Sequence, residues 1–185
     1  MALTASHMLP LGTPAPDFTL LDTVSNQKLS LKALKSEKGT VIMFICNHCP
    51  YVKLIQQKLV EVAEYYQKIG IAFIAISSND AANYPADAPE LMKKEAQQFH
   101  YPFPYLYDET QAVAKAYQAA CTPDFYVFDK DRLCVYRGRF DSSSPGKQDP
   151  VTGKDLSEAL DALLAGKAIS PEQHPSMGCN IKWKK

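Results

Sequence analysis

Two short apolar runs joined by an amphipathic segment constrain the fold of this chain most strongly. The first run, Thr40–Ile45, is rich in β-branched residues and shows no alternation, which is typical of a strand buried on both faces. Apolar residues then recur at steps of three and four from Val52 to Ile69, and Gly70 marks the end of the predicted helix. The second run, Ile71–Ile76, completes a strand–helix–strand unit, because parallel strands need such a crossover.

The segments around this unit predict a mixed sheet rather than a fully parallel one. Alternating runs at Asp124–Phe128 and Leu133–Arg139 flank a turn, which predicts an antiparallel hairpin. Further short strands are expected at 18–20, 29–31 and 105–107, and helices at 89–99, 110–117 and 155–164. We therefore expect an α/β fold: a mixed central sheet flanked by helices, with an N-terminal strand extension and an insertion around residues 79–108.

Length and charge narrow the class of protein. The chain has 185 residues, of which 46% are hydrophobic and 22% charged, which suits one domain over residues 1–185. Residues 1–15 are interpreted as a loose lead-in and residues 167–185 as a C-terminal tail. The formal net charge is zero, so no nucleic-acid partner is expected. No apolar run reaches membrane-spanning length and no secretory signal pattern is found, so a cytoplasmic protein without membrane attachment is expected.

The cysteine pattern predicts chemistry. The chain has five cysteines, and an odd number in a chain of this size argues against a disulfide framework. Cys46-Asn47-His48-Cys49 lies where the first buried strand ends and the long helix begins. The partial positive charge of a helix N-terminus favours thiolate, the attacking species in disulfide exchange, and His48 adds charge when protonated. The pattern favours a redox pair over two competing interpretations, half of a metal site and inert core cysteines.

Thr122-Pro123 is a second signal, because it directly precedes a predicted internal strand. Proline cannot donate to a sheet ladder, so it belongs at the start of a strand. Pro123 therefore either marks that start or is a cis-proline that faces the thiol pair. In the second case, backbone groups near Thr122 are available to pair with a substrate strand. The local sequence leaves both alternatives open.

The segments Ile45–Val52 and Cys121–Phe125 together resemble the thioredoxin-like redoxin family, which is related to the alkyl hydroperoxide reductase/thiol-specific antioxidant (AhpC/TSA, peroxiredoxin-like) proteins. The similarity extends from about residue 12 to residue 184. It implies a thioredoxin fold, with Cys46 as the attacking thiol, Cys49 as the resolving thiol and Pro123 as the cis-proline. We expect the intervening residues of the motif, and the threonine before the proline, to support them: Asn47, His48 and Thr122.

The predicted function is that of a thiol–disulfide oxidoreductase, acting on a protein or small-molecule disulfide and served by a thiol reductant. No bound cofactor is predicted. The resemblance also admits a thiol peroxidase, because Cys49 aligns with the peroxidatic cysteine and Cys46 with the threonine that precedes it. The supporting arginine of peroxiredoxins is missing near Thr122, which leaves Arg137 or Arg139 as a substitute.

A third alternative is a copper-binding chaperone. Cys46 and Cys49 would hold soft Cu(I) with one further ligand, taken from His48, Cys121 or Cys179. As thiols, Cys121 and Cys179 are also candidates for additional redox roles, whereas the alternating neighbours of Cys134 predict a core position.

Overall fold

The computed structural model describes residues 3–185, and in this part of the chain there are ten β-strands and five α-helices. The strands are β1 Leu3–Ala5, β2 Thr19–Asp22, β3 Gln27–Ser30, β4 Thr40–Phe44, β5 Ala72–Ser77, β6 Tyr105–Tyr107, β7 Cys121–Thr122, β8 Asp124–Phe128, β9 Cys134–Gly138 and β10 Met177–Asn180. The helices are α1 Leu31–Leu34, α2 Pro50–Lys68, α3 Pro89–Gln98, α4 Ala112–Ala116 and α5 Lys154–Leu164. No helix among these is long and apolar enough to cross a bilayer.

The main sheet has seven strands in the order β3-β2-β6-β5-β4-β8-β9, and the predicted mixed sheet is confirmed. β4 and β5 are parallel neighbours joined through α2, as the two apolar runs predict. Gly70 follows this helix with a φ of +102°, a left-handed conformation that favours glycine, so the predicted end is also confirmed. β8 and β9 form the predicted antiparallel hairpin.

Two apolar cores lie on opposite faces of this sheet. Buried residues of α2, α3 and α5 contribute to one core, and buried residues of α1 and α4 contribute to the other. Cys46, Cys49 and Cys179 belong to the first core, whereas Cys134 lies in the second, as its predicted core position requires. The sheet therefore separates Cys134 from Cys46, Cys49 and Cys179.

A second, three-stranded sheet corrects the interpretation of both terminal segments. In it, β10 lies between β1 and β7 and is antiparallel to both. The apolar patterning assigns no strand to the lead-in or the tail; residues 1–2 of the lead-in lie outside the described residues. The sequence of β10, Met-Gly-Cys-Asn, has no alternating apolar pattern. This strand is held by backbone pairing on both edges, which a search for apolar periodicity does not detect.

Candidate active site

The cysteine pair lies at the junction of β4 and α2. β4 ends at Phe44 and α2 begins at Pro50, so that Cys49 is the N-cap residue of the helix. Proline suits the first helical position because it has no N–H to leave unpaired there. Cys46 is 1% exposed and Cys49 0% exposed, and none of the five cysteines is in a disulfide. The structure thus brings the pair to the predicted strand–helix junction, but buries both thiols.

Thr122 contacts both thiols of the pair. Its Oγ1 lies 3.3 Å from the Sγ of Cys46, and its carbonyl oxygen lies 3.2 Å from the Sγ of Cys49. The Thr122–Pro123 peptide bond is cis, which agrees with the cis-proline that the family resemblance implies. Cys46, Cys49 and Thr122 therefore form one cluster, with Pro123 next to it in the chain.

β10 occupies the backbone edge beside the pair. Cys179 is the register partner of Thr122, and its Sγ lies 2.9 Å from the Sγ of Cys49. The expectation that backbone groups near Thr122 are available to a substrate strand is therefore wrong for this state, because the chain's own C-terminal segment pairs there. Cys179, a candidate from the sequence, is brought directly to the site.

Asp87 is a site residue that the sequence analysis missed. It is fully buried, at 0% exposed, in the segment that was interpreted as an insertion. Its carboxylate accepts hydrogen bonds from the backbone N–H of Asn47 at 2.8 Å and from Nδ2 of Asn79 at 2.8 Å, and it forms an ion-pair contact with Nδ1 of His48. The residue lies in a polar, turn-rich stretch that carries no local signal of burial.

The two residues between the cysteines, Asn47 and His48, are both held by residues 84–87. Asn47 donates from Nδ2 to the carbonyl of Ala86 at 2.9 Å and accepts from the hydroxyl of Tyr105 at 3.1 Å. The ring of His48 stacks on Tyr84, with ring centroids 6.0 Å apart. Asn47 thus fixes the loop to the inserted segment, and the contact with Asp87 offsets the positive charge that a protonated His48 brings.

The electrostatics place the thiolate on Cys49. A hydrogen bond from the Cys46 thiol lowers the pKa of Cys49 to about 5; burial opposes this, and hydrogen bonds from the Cys179 thiol and from the backbone of Val52 and Cys179 add to it. The carbonyl oxygen of Thr122, 3.2 Å from the Sγ of Cys49, accepts a hydrogen bond only from the thiol form of Cys49.

The pKa values of the neighbouring Cys46, Cys179 and Asp87 are also shifted. The pKa of Cys46 is raised well above its usual value by its hydrogen bond to Cys49, by burial and by the negative charge of Asp87. Burial and the hydrogen bond to Cys49 raise the pKa of Cys179 to about 12. Burial acts to raise the pKa of Asp87, but hydrogen bonds from His48, Asn79 and Asn47 outweigh it and the net shift is downward. One thiolate, flanked by two thiols, is the charge state that this geometry favours.

Comparison with known proteins identifies the family. The model of the AhpC/TSA family matches residues 11–137, which is more than half of the chain. This chain belongs to the AhpC/TSA family. A search of the curated proteins found none that matches.

Solved structures agree with this membership. An uncharacterized conserved protein from Geobacillus kaustophilus is 56% identical, with a TM-score of 0.98 over 100% of this chain and 97% of that chain. A hypothetical protein from Sinorhizobium meliloti is 45% identical, with a TM-score of 0.95 over 98% of both chains. A putative thioredoxin from Neisseria meningitidis, at 21% identity, has a TM-score of 0.63 over 82% of this chain and 89% of that chain, and so shares the fold. The expected thioredoxin fold is thereby confirmed.

The arginines that were considered as peroxidatic supports have other partners in this AhpC/TSA protein. Arg137 donates to the carbonyl of Leu9 at 2.9 Å and to the side chain of Gln173 at 2.7 Å, and Arg139 forms an ion pair with Asp155. Across residues 3–185, no arginine is hydrogen-bonded to Cys46 or Cys49 in the structure. The structure therefore does not bring Arg137 to the thiol pair.

Cys121 directly precedes Thr122 in the chain, but its thiol contacts backbone carbonyl groups rather than Cys46 or Cys49. Its thiol lies 3.8 Å from the carbonyl of Pro123 and 3.9 Å from the carbonyl of Ser176, and burial strongly raises its pKa. These contacts agree with a packed thiol that is not directed at Cys49.

One cluster of side chains in the described residues has the composition of a metal site. Ligand atoms of Cys46, His48 and Asp87 lie within 4.8 Å of one another. Their sulfur, nitrogen and oxygen donors do not match the sulfur-rich set that soft Cu(I) prefers, and His48 and Asp87 already bind each other. Copper binding by Cys46 and Cys49 with a further ligand therefore stays a prediction.

Proposed function

We propose that this AhpC/TSA protein is a thiol–disulfide oxidoreductase in which Cys46 and Cys49 cycle between a dithiol and a disulfide. The observation that carries the proposal is the hydrogen-bonded pair itself, with a lowered pKa at Cys49 and a thiol at Cys46 that can resolve a mixed disulfide. Disulfide exchange requires these two groups: a thiolate that attacks and a second thiol within reach.

The charge distribution supports an order of events in which Cys49 attacks first. The Cys49 thiolate attacks one sulfur of the substrate disulfide, the S–S bond breaks, and the departing thiolate takes the proton of Cys46. Cys46 then attacks the Sγ of Cys49 and releases the second substrate thiolate. Two electrons pass from the pair to the substrate, and a thiol reductant reverses the process. The sequence predicts the opposite order, with Cys46 attacking. The hydrogen bond to Cys49, burial and the negative charge of Asp87 all raise the pKa of Cys46 and disfavour a thiolate there.

Peroxide reduction is the second candidate, and the lowered pKa of Cys49 favours it as well. A peroxidatic thiolate needs a donor or a positive charge to stabilise the developing oxyanion. Arg137 and Arg139 are bound to other groups, so we rank disulfide exchange above peroxide reduction. The copper alternative is checked separately, by elemental analysis of the purified protein.

A direct comparison of substrates tests the proposal. The reduced protein is mixed with an aromatic disulfide or with insulin, and in parallel with hydrogen peroxide, and the loss of protein thiols is followed. We expect rapid reduction of the disulfides, its loss in Cys49→Ser, and unchanged rates in the matched control Cys134→Ala, whose thiol lies across the sheet. Faster reaction with peroxide than with either disulfide, or unchanged disulfide reduction by Cys49→Ser, would overturn the proposal.

A further inference from the structure

The C-terminal strand β10 presents a cysteine to the thiolate in the position where a substrate strand was expected. Cys179 is paired with Thr122, the residue before the cis-proline, and its sulfur lies 2.9 Å from that of Cys49. Cys49 thus contacts two thiols, Cys46 from its own loop and Cys179 from a strand more than a hundred residues away in the chain. This is the geometry of a thiol with two alternative resolving partners.

The close approach of β10 depends on Gly178. A Cβ placed on Gly178 would lie 2.0 Å from the carbonyl oxygen of Thr122, so a larger residue cannot occupy this register without displacing the strand. Gly178 has no left-handed backbone conformation to explain its identity. Because Gly178 has no side chain, the backbones of β10 and β7 can approach closely. This approach also places the next residue, Cys179, against Cys49.

Strand β10 is also held along its other edge and beyond its C-terminal end. β1 covers its other edge, with Leu3 as the register partner of Cys179. Beyond the strand, the backbone N–H of Lys182 donates to the side chain of Asn79 at 2.8 Å, and the N–H of Asp80 donates to the carbonyl of Lys182 at 2.9 Å. These contacts hold the third thiol at the site as part of the fold.

We propose that Cys179 is a third redox thiol, which resolves a mixed disulfide on Cys49 and leaves a Cys49–Cys179 disulfide. The proposal rests on the proposed function, since it requires that Cys49 reacts with a disulfide. Its oxidant is the same organic disulfide: attack by Cys49 releases one substrate thiol, and attack by Cys179 on the Sγ of Cys49 breaks the mixed disulfide and releases the other. The proton of Cys179 leaves with a substrate thiol, so the sum is one disulfide formed and one broken.

Cys46 and Cys179 then compete for the same sulfur. A Cys46–Cys49 disulfide is converted into Cys49–Cys179 by attack of Cys179 on Cys49, which returns Cys46 to the thiol state. Cys121 does not take part, because its thiol is directed at the carbonyls of Pro123 and Ser176. The matched control for a buried cysteine without a redox role is Cys134, in the core on the opposite face of the sheet.

Disulfide mapping tests this assignment, in variants that each replace one cysteine and in one double variant. The full-length protein is oxidised with an excess of an aromatic disulfide, remaining thiols are blocked, and proteolytic peptides are analysed by mass spectrometry. In Cys46→Ser we expect Cys49 linked to Cys179, and in Cys179→Ser we expect Cys49 linked to Cys46. In the double variant Cys46→Ser/Cys179→Ser we expect a stable mixed disulfide between Cys49 and the reagent. Cys134→Ala should give the wild-type pattern.

The outcomes separate this inference from the proposed function. A Cys46→Ser protein that retains the reagent on Cys49 and forms no link to Cys179 overturns the inference, while the Cys46–Cys49 link in the wild type leaves the proposed function in place. A wild-type protein whose Cys49 remains a thiol after the treatment, with neither bound reagent nor a disulfide partner, overturns both. Cys46→Ala serves as the second variant where Cys46→Ser does not fold, and the same result is required of it.

Discussion

At the scale of single residues, the charge on Cys49 is set by the donors around its sulfur. The thiols of Cys46 and Cys179 and the backbone N–H of Val52 hold its pKa at about 5. The usual cysteine value is about 8.5. A thiolate at neutral pH is therefore a property of the folded site, and it disappears when the chain unfolds.

The first prediction concerns the pH dependence of that thiolate. Titration of the reduced protein, followed by thiolate absorbance in the ultraviolet, should show a step with a midpoint near pH 5 that is missing in Cys49→Ser and present in Cys134→Ala. Because the folded pKa lies below the unfolded one, the ionised thiol stabilises the fold fully above about pH 8.5. That stabilisation is lost as the pH falls through about 5. A single midpoint at or above pH 8 would contradict the charge assignment.

The second prediction concerns Asp87, which binds three partners while fully buried. Asp87→Asn should lower the free energy of unfolding by about 2 kcal/mol, because hydrogen bonds to a buried charge are lost. It should also lower the pKa of Cys46, since the neighbouring negative charge is removed. Chemical denaturation and thiol titration measure the two effects.

The exposed Asp17 provides the control for this substitution. Asp17→Asn should change the free energy of unfolding by less than about 0.5 kcal/mol, as expected for a surface ion pair. Equal changes in the free energy of unfolding for the two substitutions would contradict a stabilising role of the hydrogen bonds to Asp87.

At the scale of elements, apolar patterning predicted the parts of the fold that carry an apolar run or an apolar stripe. β4, α2 and β5, and the hairpin of β8 and β9, are close to their predicted bounds because each carries an apolar pattern. β1 and β10 carry no such pattern and are held by backbone pairing between residues at opposite ends of the chain. The burial of Asp87 likewise depends on contacts with a loop 39 residues away, which no local pattern encodes.

The third prediction concerns the register of β10. Gly178→Ala should displace the strand from β7, because the added Cβ would meet the carbonyl oxygen of Thr122. We expect Cys49 to react faster with a maleimide and the yield of the Cys49–Cys179 link to fall. Gly146→Ala is the control: its Cβ meets nothing within 4 Å, although its φ of +83° leaves a backbone cost of about 1 kcal/mol. An unchanged maleimide rate in Gly178→Ala would argue against β10 as the cover of Cys49.

At the scale of the whole molecule, the two alternative disulfides differ in the length of chain they close. Cys46–Cys49 closes a short loop, whereas Cys49–Cys179 joins residues separated by 130 positions. Closing a loop of that length restricts the unfolded chain far more, in the chain-entropy account by about 5 kcal/mol. The oxidised form of Cys46→Ser should therefore be more stable than its reduced form.

The fourth prediction follows from that difference. Urea denaturation of oxidised Cys46→Ser, with and without a thiol reductant, should show a stabilisation approaching about 5 kcal/mol in the oxidised form. The oxidised Cys179→Ser protein should gain much less, because its disulfide closes a short loop. Equal gains in the two variants would contradict the assignment of the long-range link.

The central claim is that Cys46 and Cys49 form a reversible redox pair, and a redox titration of the Cys179→Ser variant tests it most directly. The protein is equilibrated with mixtures of reduced and oxidised glutathione, and both states are quantified by differential alkylation and mass spectrometry. We predict one reversible transition in which both thiols convert together, with a tenfold change in their ratio per about 30 mV, as a two-electron couple requires. Cys49 remaining a thiol across the series, or carrying glutathione without a bond to Cys46, would contradict the account.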